Sequence, residues 1–244
     1  MWKDDFPREN IYFETSNGIL YCGDCLEVMK EFPRESVDLV LTDPPYNISK
    51  ETNFSSMRRY NLYRGMDFGA WDKDFDVIRW IKLCPLKKNS NFICFTSWEN
   101  LGVIAKECMN CGMVPKRPIV INKTNPMPVN RDRLFVNSLE FGIWATKGKW
   151  TFNRKSNRYE VSLFHCPNAK NIRHPTAKHI QPIQRLIEVL SKENDLILDP
   201  FLGSGTTALA CERLNRRWIG IEINEEYCKI AKERILKESS KLPL

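Results

Sequence analysis

No run of apolar residues in this sequence approaches the length needed to cross a bilayer. The first residues, Met1-Trp2-Lys3-Asp4-Asp5, are charged and lack the apolar core of an export signal. A soluble, cytoplasmic protein with no membrane partner is therefore expected. A disulfide framework is also missing: nine cysteines is an odd count in a chain of 244 residues with no export signal, so reduced thiols are expected. Two Cys-x-x-Cys pairs, Cys22/Cys25 and Cys108/Cys111, lie far apart and lack the Gly/Pro surroundings of a zinc ribbon; buried thiols are expected there rather than a metal. There is no internal repeat and no low-complexity tract. With 42% hydrophobic and 27% charged residues, the composition is that of a globular protein, and the length fits one domain, 1–244, carrying an insertion.

Acidic residues are scarce in one place. From Lys147 to Lys178, both included, the chain has eight cations, with Lys149, Arg154, Lys155, Arg158, Lys170 and Arg173 between those two, and Glu160 the only acid. That local excess of seven equals the net charge of the whole chain, +7, and points to a polyanionic partner. A second polar stretch, from Asn47 to Trp71, interleaves Arg58, Arg59 and Arg64 with Tyr60 and Tyr63, a mixture suited to phosphate contact and base stacking.

The rest alternates between two periodicities. Short apolar runs at 19–22, 37–42, 91–96, 118–121, 141–145, 195–198 and 218–221 are rich in β-branched and aromatic residues and close on turn signals, as buried strands do. Ile180, Ile183, Ile187 and Leu190 recur at helical spacing, as do Tyr227, Ile230, Ala231 and Ile235 behind Asn224, a good helix cap. The fold expected is α/β, a mostly parallel sheet with helices on both faces. The stretches 47–71 and 151–173 fit neither pattern.

Two motifs carry chemistry. Asp199-Pro200-Phe201-Leu202-Gly203-Ser204-Gly205-Thr206-Thr207 follows a strand and opens a helix, and Glu222, with Ile223 beside it, ends the next strand seventeen residues after Gly205. Glycines permit the tight turn and a close ligand, and a carboxylate at that distance can accept hydrogen bonds from ribose hydroxyls. Alone, this pattern also fits a nicotinamide dinucleotide. The second motif, Asp43-Pro44-Pro45-Tyr46, stands directly after the strand 37–42. An exocyclic base amine is a poor nucleophile because its lone pair is delocalised into the ring. A carboxylate (Asp43) and a backbone carbonyl (Pro44) fixed beside its protons can draw the nitrogen toward tetrahedral geometry, for in-line attack on a sulfonium methyl group. Consecutive prolines keep those acceptors rigid, and Tyr46 offers a face on which an extruded base can stack.

Taken together, these residues resemble the β group of DNA amino-methyltransferases, over most of the chain. Asp43-Pro44-Pro45-Tyr46 looks like the catalytic motif, the glycine loop like the cofactor loop, and Glu222 like the ribose-binding acid. His174-Pro175-Thr176-x-Lys178 resembles the segment beside the methionine part of the cofactor. Gly23-Asp24-Cys25 resembles the motif at its adenosine end, and Lys123-x-Asn125-x-x-Pro128 a stretch after the sixth strand. The catalytic motif precedes the cofactor loop, and that order defines the β group. It implies a circularly permuted, seven-stranded methyltransferase sheet in which the strand before Asp24 lies beside the strand ending at Glu222. It also implies S-adenosylmethionine as cofactor and a target-recognition insertion near 147–175.

DNA is the partner implied, contacted by Arg58, Arg59, Arg64, Lys123, Arg154, Lys155 and Arg158. The resemblance leaves room for a homodimer and for a cognate restriction endonuclease. This chain has His179 where the family usually has proline. Asp43 favours adenine N6 over cytosine N4, since members acting on cytosine more often carry serine there. Cytosine C5 chemistry needs a Pro-Cys nucleophile, and the chain contains no such dipeptide. An RNA or protein methyltransferase, a nicotinamide oxidoreductase and a non-catalytic DNA-binding module each leave one of the two motifs or their order unexplained.

Overall fold

The computed structural model describes residues 2–46, 75–126, 135–154, 159–168 and 178–239. Within these, one sheet of nine strands is flanked by helices on both faces. In chain order the elements are β1 (Ile11–Glu14), β2 (Gly18–Cys22), α1 (Cys25–Val28), β3 (Val37–Thr42), β4 (Leu86–Thr96), α2 (Leu101–Asn110), β5 (Val114–Lys123), β6 (Leu139–Lys147), β7 (Leu163–Cys166), α3 (Ile180–Leu190), β8 (Leu196–Asp199), α4 (Thr206–Arg213), β9 (Arg217–Glu222) and α5 (Glu225–Ser239). Across the sheet the order is β1-β2-β9-β8-β3-β4-β6-β5-β7.

Most of the apolar runs become strands that are buried on both sides; the run in β5 buries only the face of Ile119 and Ile121. Alternate side chains feed two separate cores, as a pleat of period two requires. Ile19 and Tyr21 of β2, Phe92 and Cys94 of β4, Leu196 and Leu198 of β8, and Ile219 and Ile221 of β9 join α1 and α2 in one core. Leu20, Ile93, Phe95, Ile197 and Trp218 join α3, α4 and α5 in the other. The expected helices follow their stripes. Ile183, Leu186, Ile187 and Leu190 are buried on α3, and Asn224 caps α5 by accepting the amide of Glu226 at 2.9 Å.

The middle of the sheet, β2-β9-β8-β3-β4, is parallel throughout; β6 is antiparallel to β4 and to β5. β2 and β9 pair in register from Gly18 with Trp218 to Cys22 with Glu222, which joins opposite ends of the chain. Gly18 is needed for this, since a Cβ there would stand 1.8 Å from the Trp218 ring.

The seven strands expected are present, and two more extend the sheet to nine. β1 pairs antiparallel with β2 at one edge, and β7 pairs parallel with β5 at the other. Both are four-residue edge strands, mostly half-buried or exposed, and too short to show a strand period of their own. β7 lies inside the stretch 151–173, which therefore holds a strand where none was expected. The strand expected at 91–96 reaches back to Leu86, and the one at 118–121 spans Val114–Lys123. All nine cysteines are free thiols, six of them buried. Among the described residues no helix is long and apolar enough to cross a membrane, and no group of acids, thiols and imidazoles could hold a metal ion.

Candidate active site

In an open parallel sheet the ligand crevice lies beyond the carboxyl ends of the strands. β2, β9, β8 and β3 are consecutive neighbours, and their carboxyl ends deliver Asp24, Glu222, Asp199 and Asp43 in that order. Asp43-Pro44-Pro45-Tyr46 and the glycine loop, more than 150 residues apart in sequence, are thus brought to adjacent strand ends. One bond ties them directly: the Thr42 hydroxyl donates to Asp199 Oδ1 at 2.6 Å.

The glycine loop turns as its residue types demand. Gly203 and Gly205 both have positive φ, 53° and 83°, and Gly205 precedes the first residue of α4. Glu222 holds the loop from the next strand, accepting the Gly203 amide at 2.8 Å through Oε2 and the Asn224 amide at 2.8 Å through Oε1. Arg234 of α5 fixes the far side, donating to the Ser204 carbonyl and, at 2.6 Å, to its hydroxyl. Phe201 packs edge-on against Phe75 and Trp80, with ring centroids 5.4 and 5.3 Å away. Asp24 caps α1 by accepting the Leu26 amide at 2.8 Å. Cys25 behind it is buried, and burial pushes its thiol up to about 12, so it is an inert packing residue. Ile223 is exposed beside Glu222.

Burial raises the Glu222 carboxyl above its ordinary value and pushes that of Asp199 up to about 6. In Asp199 the folded protein retains a proton that the unfolded chain, with its ordinary value near 3.8, has already released. Stability therefore falls as pH climbs between these values, and the full cost stands at neutral pH. Asp199→Asn keeps an oxygen for Thr42 and the Phe201 amide while removing the charge. It should melt higher than wild type near pH 7.5, by at most roughly 3 kcal/mol of stability. Thermal melts should show that gap closing toward about pH 4; a constant gap would disprove the cause.

At the end of β3 the Asp43 carboxylate is held on both oxygens. The Tyr46 hydroxyl donates to Oδ1, and the Lys178 ammonium to Oδ2 at 2.6 Å. Lys178 also donates to Tyr46 Oη at 3.2 Å and lies 4.7 Å from the centre of the Phe95 ring. Glu140, at the start of β6, stands 3.6 Å from the same ammonium and accepts an ion pair from Lys123 at 2.5 Å. Burial works against the Lys178 charge, but Asp43, Tyr46 and Glu140 override it and hold the group well above its ordinary value. Burial, and then Asp43, push the Tyr46 phenol well up, so it stays a neutral donor. The Asn100 side chain secures the tetrapeptide from α2's entry, donating to the Tyr46 carbonyl at 3.1 Å.

Lys178, expected beside the methionine part of a cofactor, thus has its ammonium on Asp43. Lys123, expected on DNA, is engaged by Glu140, a half-buried carboxylate for which a nearby cation offsets part of the lost hydration. Asn125 of the same stretch accepts the Asn168 amide at 2.7 Å, tying it to the end of β7. Arg154 is exposed on the surface. His174, Pro175, Thr176, Arg58, Arg59, Arg64, Lys155 and Arg158 lie outside the described residues. Thr42, Asn100, Glu140 and Arg234 were not anticipated. An acid opening an otherwise apolar strand is the signal that marks Glu140.

The chemistry of these groups decides what can be held. Four carboxylates at neighbouring strand ends favour a ligand with ribose hydroxyls and positive charge, as S-adenosylmethionine has in its sulfonium and ammonium. A pyrophosphate would face like charge from the same acids.

The description of DNA methylases of the N6/N4 type matches residues 37–233 of the chain. Type II methyltransferase M2.LlaDCHI of Lactococcus lactis subsp. cremoris is 34% identical, over 93% of this chain and 92% of that protein. Type II methyltransferase M.HinfI of Haemophilus influenzae is 33% identical, over 93% and 70%. The crystal structure of the M1.HpyAVI-SAM complex superposes with a TM-score of 0.71 at 34% identity, covering 88% of this chain and 98% of that one. The cytosine-N4-specific PvuII DNA methyltransferase shares the fold, with a TM-score of 0.71 at 22% identity over 96% of this chain and 95% of that one.

Proposed function

This chain belongs to the N6/N4 DNA methylase family, as an S-adenosylmethionine-dependent DNA methyltransferase, and from that premise we propose that its target is the exocyclic N6 amine of adenine. The single observation carrying this reading is Asp43, whose carboxylate opens the tetrapeptide at the end of β3, directly beside the glycine loop at the end of β8. The bound cofactor supplies an activated methyl group. Everything else is the work of the chain. Asp43 and the Pro44 carbonyl accept the two amino protons and so direct the nitrogen lone pair. Pro45 keeps that backbone rigid. Tyr46, anchored by its hydroxyl, presents its ring to the base.

Glu222 binds the ribose hydroxyls, Asp24 the adenosine end, and the exposed Ile223 gives the adenine ring an apolar surface. Gly203 to Thr207 let the cofactor approach the backbone, with Asp199, Pro200 and Phe201 shaping the turn behind it. His174, Pro175 and Thr176 would complete the methionine side. Arg154, Lys155 and Arg158 hold the phosphate backbone, with Arg58, Arg59 and Arg64 adding contacts from the stretch 47–71. The insertion near 147–175 is short for reading bases, and a second copy of the chain would enlarge that surface. Its similarity to Type II methyltransferases suits one half of a restriction–modification pair, acting on DNA inside the cell.

Incubation with methyl-labelled S-adenosylmethionine and mixed-sequence DNA should label the DNA, with N6-methyladenine in the nucleoside digest. N4-methylcytosine instead would overturn the choice of base, and labelled RNA the choice of substrate. Alanine at Arg154, Lys155 and Arg158 together should weaken DNA binding and reduce the slope of log affinity against log salt by about 2 to 3. An unaltered slope would place the phosphate contacts elsewhere.

A further inference from the structure

Within this active site one group has no part in holding cofactor or DNA. Glu140 is a half-buried carboxylate beside Lys178, 3.6 Å from its ammonium through Oε2 and paired to Lys123 through Oε1 at 2.5 Å. Lys178 has three N–H donors, two of which are engaged by Asp43 Oδ2 and Tyr46 Oη. At 3.6 Å the contact with Glu140 is an ion pair and not a hydrogen bond. A movement on the order of 1 Å would turn it into one.

That matters because both Asp43 oxygens already hold a donor in the resting arrangement, and an ammonium on one of them weakens the carboxylate as an acceptor for any further proton and crowds the side from which it must come. Tyr46 takes one and Lys178 the other, yet an amine to be methylated must donate to this same carboxylate. The cation that competes with the amine needs somewhere to go, and a buried ammonium moves only toward another anion. Glu140 is the anion within reach.

We propose that Glu140 is a positioning residue that draws the Lys178 ammonium off Asp43 when the target amine arrives, freeing a carboxylate oxygen for the amino proton. The ammonium keeps all its protons in this exchange, so no proton or electron is gained or lost by the chain. Lys178 remains charged near the reacting nitrogen and holds Tyr46 as it shifts. Lys123 occupies the second oxygen of Glu140, which limits the pull on Lys178 and lets the cation return when the product leaves. This inference rests on the amine-methylating reading of the site.

Glu140→Gln keeps the shape and loses the charge. With the DNA that wild type methylates, it should lower kcat by roughly 10- to 100-fold while leaving KM for cofactor and DNA within about threefold, the signature of an interaction made only as the reaction proceeds. Glu140→Asp should recover part of the rate, and where the glutamine variant does not fold it carries the test alone, with lowered kcat at unchanged KM expected. Lysine 15Nζ NMR gives a readout free of turnover. The Lys178 resonance, identified by its loss in Lys178→Met, should shift when DNA and S-adenosylhomocysteine are added to wild type, and stay in place in Glu140→Gln. Wild-type kcat in Glu140→Gln, a fall in rate matched by a rise in KM, an aspartate variant no better than the glutamine one, or an unmoved wild-type resonance would each overturn the proposal. A wild-type protein that labels no DNA would instead strike the functional reading.

Discussion

Asp43→Asn should fold, bind S-adenosylmethionine within about threefold of wild type, and transfer methyl groups to DNA roughly 1000-fold more slowly. The size follows from removing one preorganised acceptor from a site whose partners stay in place. Asparagine presents one oxygen and one N–H donor where the target amine needs an acceptor, so the amide repels the proton it should receive. Retained cofactor binding is expected because Asp43 faces the amine and the acids at the ends of β2 and β9 do not change. Asparagine is preferable to alanine, which would leave the buried Lys178 without its closest anion and add a stability cost of a few kcal/mol to the measurement. Single-turnover rates with isothermal titration of the cofactor separate the two effects. A rate within tenfold of wild type would remove Asp43 from the chemistry, and lost cofactor affinity would move it to the binding site.

Glu222→Ala should fail in the opposite way, losing cofactor affinity by on the order of 100-fold with little change in the transfer rate at saturation. Two contributions add. The ribose hydroxyls lose their acceptor, and the amides of Gly203 and Asn224 lose the carboxylate that fixes the loop and the start of α5. The second contribution predicts a lower melting temperature in cofactor-free protein. Glu222→Gln should restore part of both, since one oxygen remains to accept an amide. Equal cofactor affinity in wild type and the alanine variant would exclude Glu222 from the binding site.

The legibility of this molecule in its sequence divides along a physical line. Central strands such as Val37–Thr42 and Leu196–Asp199 are buried on both faces, so their own residues announce them. Ile11–Glu14 and Leu163–Cys166 owe their pairing to a neighbour already in the sheet, and four residues are too short a run to show a period that separates strand from loop. The site divides likewise. Asp43, the glycine turn and Glu222 each act through chemistry confined to a few consecutive residues, and each lies where the motif places it. The contact of Lys178 with Asp43 spans 135 residues and follows from how β3 and the entry to α3 meet, which no local pattern encodes. Glu140 is intelligible only once Lys178 is in position.

The pairing of β2 with β9 also bears on when the enzyme can begin to work. A ribosome that has delivered Tyr46 must add roughly 175 further residues before β8 and β9 both exist to slot between β2 and β3. Until then Asp43 has no glycine loop beside it, and seven of the nine strands stand with open edges on both flanks of the gap. Contacts this remote in sequence make for slow closure. A chain stopped before Glu222 consequently lacks the strand that joins β2 to β8, and its two groups of strands have nothing to hold them in one sheet.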